Sequence, residues 1–209
     1  MTPLYLSSAY WAPISYFSAI YRHGTAVIEQ HDTYIKQTYR NRCNIIASQG
    51  VQTLTIPIEK PSPHTTMRDV RISDHGNWRH LHHMAIASAY GSSPFYEYYA
   101  DDIARLYTRR YDFLLDYNMA QITCVCDWLD IELNISLSDT YTPHDSIPMT
   151  DLREAIHPKH PDTSLIAPYL PRPYYQVFAS RYGFMQDLSI LDLLCNMGNE
   201  SILTLAGIR

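Results

Sequence analysis

Four histidines, His75, His80, His82 and His83, crowd one stretch of the chain, and a cationic run, Lys36 with Tyr39-Arg40-Asn41-Arg42-Cys43, precedes them. On a helix His82 and His83 project about 100° apart, while His80 and His83 share a face. A catalytic zinc needs three protein ligands and a structural zinc four, and no cysteine pair or His-Glu-x-x-His accompanies these imidazoles. No metal is expected. The sharper use is a single imidazole, His82, as general acid or base, because its free pKa lies near neutrality. In the cationic run, arginine forks hold carboxylate or phosphate at two points and a lysine adds a point charge. Lys36 and Arg42 are therefore candidate anion ligands, with Asn41 to orient the anion or donate to an oxyanion. Alternation along a strand leaves only one of Arg40 and Arg42 facing any given site. Cys43 is a conceivable nucleophile, but no hydrolase signature surrounds it and a buried, inert thiol is the plainer reading. Tyr90-Gly91-Ser92-Ser93-Pro94 lacks the second glycine of a nucleophile elbow, and Ser93 reads as a helix cap.

Composition narrows the chemistry. With 16 Lys+Arg against 21 Asp+Glu the net charge is −5, so no basic surplus exists to neutralise a nucleic-acid backbone. No apolar run reaches the ~18 residues of a membrane span, and the start lacks the basic and apolar regions of a secretory signal. A cytoplasmic protein is expected, with its 4 cysteines reduced. Only 7 glycines are present, and neither Gly-x-Gly-x-x-Gly nor Gly-x-x-x-x-Gly-Lys can be assembled from them. The 18 tyrosines are in excess. A flat ring with a hydroxyl suits sugars and nucleotides, and Tyr16 and Tyr90 are the stacking candidates.

These groups must be positioned by an α+β chain. Thr2 to Ser7 reads as a strand, Pro13 opens a helix that Gly24 ends, and Thr25 to Glu29 reads as a second strand, a β-α-β opening. Cys43 to Ala47 and Val51 to Ile58 flank Gln49-Gly50 as a hairpin. Asp69 to Ser73 alternates as a further strand. Helices follow at Trp78 to Tyr90, from Ser93-Pro94, and over Ala100 to Leu129 as one helix or two. Seven of the 13 prolines lie between Pro143 and Pro173, so 136–173 is expected as a long irregular loop. Helices at Tyr174 to Tyr182 and Ile190 to Met197 close a single domain spanning 1–209. The expected fold is a mixed or antiparallel sheet, built mainly from the N-terminal third, packed against a helical C-terminal part.

Five segments in order resemble the WbqC-like family: Tyr10 to Phe17, Tyr34 to Ile45, Leu54 to Ile58, Trp78 to His82, and Ser88 to Phe95. Leu188 to Leu194 with Gly198 resembles its C-terminus. The resemblance implies a bacterial protein of O-antigen or other surface-polysaccharide biosynthesis. The activity implied is a group-transfer enzyme, such as an acyl or aminoacyl (glycine) transferase acting on an activated amino sugar. The family pattern falls on Lys36, Tyr39, Asn41, Arg42 and Ile45, and does not prescribe Cys43. Many relatives carry paired aspartates before it, where this chain has Gln30-His31, leaving those two positions without an acidic role. The expected site has His82 and Asn41 as catalytic residues, with Lys36, Arg42, Tyr16, Tyr39 and Tyr90 binding a nucleotide sugar or similar anion. No cofactor is expected. The alternative is a non-catalytic ligand-binding or assembly protein whose polar residues form a buried network.

Overall fold

The computed structural model describes residues 4–132, 134–144 and 150–208. β1 (Leu4–Ser7) is buried at all four positions, and α1 (Ile14–His23) crosses back to place β2 (Thr25–Glu29) beside it in parallel. Ile14, Phe17 and Ile20 bury the inner stripe of α1, each stabilising by about 1.5–3 kcal/mol. Gly24 ends that helix at φ 70°, its N–H returning to the Ile20 carbonyl; a residue with a Cβ would be strained there by about 1–2 kcal/mol. The β-α-β opening is therefore as the sequence predicts.

β3 (Arg42–Ala47) and β4 (Gly50–Thr55) form the expected antiparallel hairpin, turning at Gly50 with φ 103°. The other sheet is wholly parallel. β5 (Asn134–Leu137) adds to β2 and β6 (Thr150–Asp151) to β1, giving the order β5-β2-β1-β6. Helices α2 (Trp78–Tyr90), α3 (Tyr96–Thr108) and α4 (Leu114–Trp128) follow the hairpin, and the chain closes through the short α5 (Thr163–Ile166) and α6 (Ala179–Tyr182), then α7 (Ile190–Met197) and α8 (Ser201–Ala206). The α+β expectation holds, resolved into a parallel sheet and a separate hairpin. One cluster of buried apolar side chains runs from Leu4 to Leu205.

Several local expectations are corrected. Asp69 to Ser73 is not a strand: a 3-10 turn at Met67–Asp69 leads into isolated bridges, Ile58 with Ile72 and Arg71 with Phe113, because the neighbouring chain at 57–59 and 112–114 runs alongside for only a residue or two. Ser93 does not cap α3. The chain winds through Tyr90 and Ser93 carbonyls, and Phe95 N–H bonds to the Cys195 carbonyl of α7, so the helix begins only at Tyr96. The 100–129 region is two helices, broken where Arg109 turns extended. The stretch 136–173 is not structureless, since it carries the end of β5, β6 and α5. Residues 145–149 of that stretch, and Thr2 and Pro3 of the expected first strand, lie outside the described residues. The expected helix from Tyr174 forms only over α6, and Tyr174 to Phe178 is not helical. Tyr174 Oη donates to Asp192 Oδ2 at 2.5 Å and Gln176 Nε2 donates to the same oxygen at 2.7 Å. Residues two apart share a face in extended chain and oppose each other on a helix, so this double anchor excludes the helix.

Candidate functional site

His82 projects inward from α2 and is 7% exposed. Trp11 Nε1 donates to Tyr107 Oη at 2.9 Å, the Tyr107 and Tyr10 hydroxyls lie 2.5 Å apart, and Tyr10 Oη reaches His82 Nδ1 at 2.8 Å. The other imidazole nitrogen hydrogen-bonds the Thr55 backbone of β4. Donation thus runs one way: Trp11, Tyr107, Tyr10, His82, Thr55. Burial pushes the imidazole down to about 4, so the ring is neutral near pH 7 with both nitrogens engaged. Trp78 and Tyr107 stand edge-on to it, at centroid distances of 5.3 and 6.4 Å. The ring is a strut between α2 and the hairpin.

The other expected residues scatter around it. Asn41 Nδ2 donates to the Ile56 carbonyl at 2.9 Å, and Ile56 N–H returns to the Asn41 carbonyl. Arg42 opens β3, half-buried, and Lys36 is exposed on the preceding loop. Tyr90 is buried, its hydroxyl accepting from Ile46 N–H at 3.5 Å. Cys43 is fully buried, and burial raises its thiol well above the usual range, which removes it as a nucleophile at neutral pH. Among the described residues no group of three or more His, Cys, Asp or Glu is placed to hold a metal. Tyr16 and Tyr39 are different. Both line a cavity with Ser7, Ser8, Arg40, Arg153 and His157, and Tyr16 Oη donates to the Ser7 carbonyl at 3.1 Å.

That cavity sits where the parallel strands end. β1 has β2 on one side, reached through α1, and β6 on the other, reached only late in the chain. Open α/β sheets bind ligands outside the carboxyl ends of strands, at the point where the connections diverge. Here that point is the β1/β6 seam, lined by Leu6 to Ala9 and by Leu152-Arg153.

Two buried arginines meet carboxylates at this edge. Arg153, its side chain 0% exposed, donates from Nε and Nη2 to Asp151 and from Nη1 to Glu29 Oε2 and the Thr142 carbonyl. Glu29 also accepts from His31 N–H, Ser138 Oγ and Thr142 N–H. Hydrogen bonds and charge from Arg153 outweigh burial and hold the Asp151 carboxyl below its usual range. Arg40, 2% exposed, donates from Nη2 to Asp32 Oδ2 at 2.6 Å and to Glu154 Oε1 at 3.1 Å. Its Nη1 has only a 3.5 Å contact with Thr38 Oγ1. Among the described residues Arg40 Nε and Asp32 Oδ1 have no hydrogen-bond partner. Burial pushes the Asp32 carboxyl up, with Arg40 opposing and Glu29 and Glu154 adding to the rise. Asn118 of α4 holds the Arg40 carbonyl at 2.8 Å and Ser8 Oγ at 3.2 Å. His157 Nδ1 accepts from the N–H groups of Lys159 and His160, each at 3.0 Å. Burial lowers its pKa, so the ring is neutral near pH 7 and carries its proton on Nε2 as a donor.

Asp32, Arg40, Arg153 and Glu154 were not among the expected site residues. Asp32 stands one position past Gln30-His31, and Arg40 is the other half of the alternating Arg40/Arg42 pair. Nothing local marks Arg153 or Glu154. A larger groove of about 760 Å3 lies between α8 and residues 167–174, but Arg22 on its wall is engaged by the Leu205 and Pro168 carbonyls, and no strand end opens there.

The molecule is thus an α+β protein with a charged crevice at the carboxyl edge of a parallel sheet. The sequence pattern of the WbqC-like protein family matches residues 8–176, a span that contains every group of this crevice except Leu6 and Ser7. The chain belongs to the WbqC-like protein family. It is 25% identical to Rv1507c, an uncharacterized protein of Mycobacterium tuberculosis (strain ATCC 25618 / H37Rv), over 89% of each chain. No solved structure matches it. No described helix is long and apolar enough to cross a membrane.

Proposed function

We propose that the protein is a cytoplasmic group-transfer enzyme whose working groups are Arg40 and Asp32 at the β1/β6 seam. The observation that carries this reading is the half-satisfied ion pair: a guanidinium 2% exposed, with an unpartnered Nε, beside a carboxylate with an unpartnered Oδ1. A buried ion pair is costly, and a purely structural one closes its hydrogen bonds. Perturbed carboxylates in a crevice mark functional sites. Arg40 holds the anionic part of an activated sugar or similar phosphorylated molecule, with His157 Nε2–H as a second donor. Asp32 takes the proton of the attacking amine or hydroxyl, the role expected of His82. Tyr16 and Tyr39 wall the site, and Lys36 and Arg42 supply positive charge on the same stretch of chain as Arg40. Asn41, bonded to Ile56, fixes the entry to β3 rather than touching substrate. The specific form favoured by the family resemblance is acyl or aminoacyl (glycine) transfer to an amino sugar in surface-polysaccharide biosynthesis.

The second reading, a non-catalytic ligand-binding or assembly protein, is favoured by the small cavity, about 10 Å3, room for one water. Purified protein incubated with nucleotide amino sugars and acyl or aminoacyl donors, followed by mass spectrometry, separates the two. A transferred acyl mass that disappears in Asp32→Asn supports the enzyme. Ligand-induced thermal stabilisation without any product supports the second reading.

A further inference from the structure

Arg40 meets two carboxylates as Arg153 does, but its second, Glu154, stands half in solvent where Glu29 and Asp151 are turned inward. Asp32 already neutralises Arg40 at 2.6 Å, and its side chain is 12% exposed. Glu154 lies at 3.1 Å from the same Nη2, with its side chain 46% exposed. A second carboxylate on one guanidinium nitrogen repels the first, and Glu154 is among the causes that push the Asp32 carboxyl up. A half-exposed ion pair is screened by solvent and contributes little, so Glu154 is held weakly. Its backbone neighbour is held firmly, because Arg153 is locked between Glu29 and Asp151. The Glu154 side chain can therefore swing out while the chain stays in place.

We propose that Glu154 occupies the seat of a ligand's oxyanion: the site takes a carboxylate or phosphate group, which displaces Glu154 and pairs with Arg40 through Nη2 and the vacant Nε. This inference rests on reading the seam as a ligand site. Exchanging one anion for another leaves the local charge unchanged, so the four carboxylates, Glu29, Asp32, Asp151 and Glu154, do not forbid it. The two-point pairing uses the unpartnered Arg40 donor and is stronger than the single-point contact it replaces. The cavity of about 10 Å3 on the other side of Arg40 is too small for such a group, so the ligand's anion has to take the place that Glu154 holds on Arg40 Nη2. The chain on either side of the seat is bridged on its rim, where Lys159 Nζ donates to Gln37 Oε1. The bridge keeps residues 152–160 against the 35–40 loop while only the carboxylate leaves.

The test is isothermal titration of the intact protein with inorganic phosphate and, separately, with acetate. Glu154→Gln keeps the size of the side chain and removes its charge, and its half-exposed position spares the fold. Exposed Glu59→Gln is the control for net charge. The expected result is tighter binding of one probe in Glu154→Gln, by up to about fivefold, the most that loss of a weak competing pair releases, with no change in Glu59→Gln. A gain for phosphate alone identifies a phosphate-bearing ligand; a gain for acetate alone identifies a carboxylate. Equal or weaker binding of both probes in Glu154→Gln, or no binding by either protein, overturns the proposal. The readouts are independent of turnover. Tighter phosphate binding without any acyl transfer leaves the seat standing and removes the transferase, whereas turnover indifferent to Glu154→Gln with unchanged probe affinity removes the seat alone.

Discussion

Arg153 and Arg40 are both 2% exposed, stand at the same sheet edge and each meet two carboxylates. Every guanidinium nitrogen of Arg153 is engaged, and its partners Glu29 and Asp151 are themselves bonded throughout. It ties β2, β6 and the 138–142 segment together. Arg40 has an unpartnered Nε, its partner Asp32 an unpartnered Oδ1, and its second carboxylate hangs half in solvent. The same residue types therefore make a staple in one place and a seat in the other. Burial alone does not tell them apart; the count of unmet hydrogen bonds does.

The largest effect expected is on the staple. Arg153→Met leaves Glu29 buried and unpaired and should cost about 3–5 kcal/mol in urea unfolding. Arg40→Met should cost less, since Asp32 can take up a proton, while abolishing binding of whichever probe, phosphate or acetate, the native protein takes. Equal losses would erase the distinction between the two. Next in size is the sealed strut: Tyr10→Phe removes two buried hydrogen bonds, to Tyr107 and to His82, and should cost about 1–3 kcal/mol with ligand affinity unchanged. Nuclear magnetic resonance should show His82 titrating near 4. A midpoint at or above the free value would return His82 to the list of proton carriers.

The two carboxylates should then show opposite pH slopes. Asp151 has a depressed folded pKa, so its stabilisation is complete above the unfolded value of 3.8 and fades as pH falls through the folded value. Asp32 has a raised one, so it destabilises above its folded pKa and contributes nothing below the unfolded 3.8. Asp151→Asn should thus be costly at pH 7 and harmless in strong acid. Asp32→Asn should gain stability relative to the native chain as pH rises through the folded pKa; matching slopes would put both carboxylates in one class. The smallest effect is expected at Cys43, far from either arginine in role: iodoacetamide should not label it in the folded protein near neutral pH.

Much of the scaffold is legible in the sequence because its signals are local. Gly24 after the last apolar position of α1, Gly50 between two apolar runs, and Gly198 after Met197 mark real element ends. The edge strands β5 and β6, four and two residues long, carry no comparable pattern and lie in or beside the proline-rich stretch. Extended chain at Tyr174 and Gln176 is likewise invisible until Asp192 of α7 is placed opposite them.

Kinship, the β-α-β opening, the hairpin and the main helices are all written in the chain's own pattern, since each depends on periodicity and turn chemistry within a few neighbouring residues. That pattern also singled out the Lys36–Arg42 stretch as a candidate anion site. Folding in three dimensions was needed to decide that Arg40 rather than Arg42 reaches the crevice, that His82 is sealed, and that Glu154 meets Arg40 across 114 residues of chain. Parallel strands bring their carboxyl ends together only after long crossovers, so the charges that face one another at such an edge are set by packing and not by spacing along the chain.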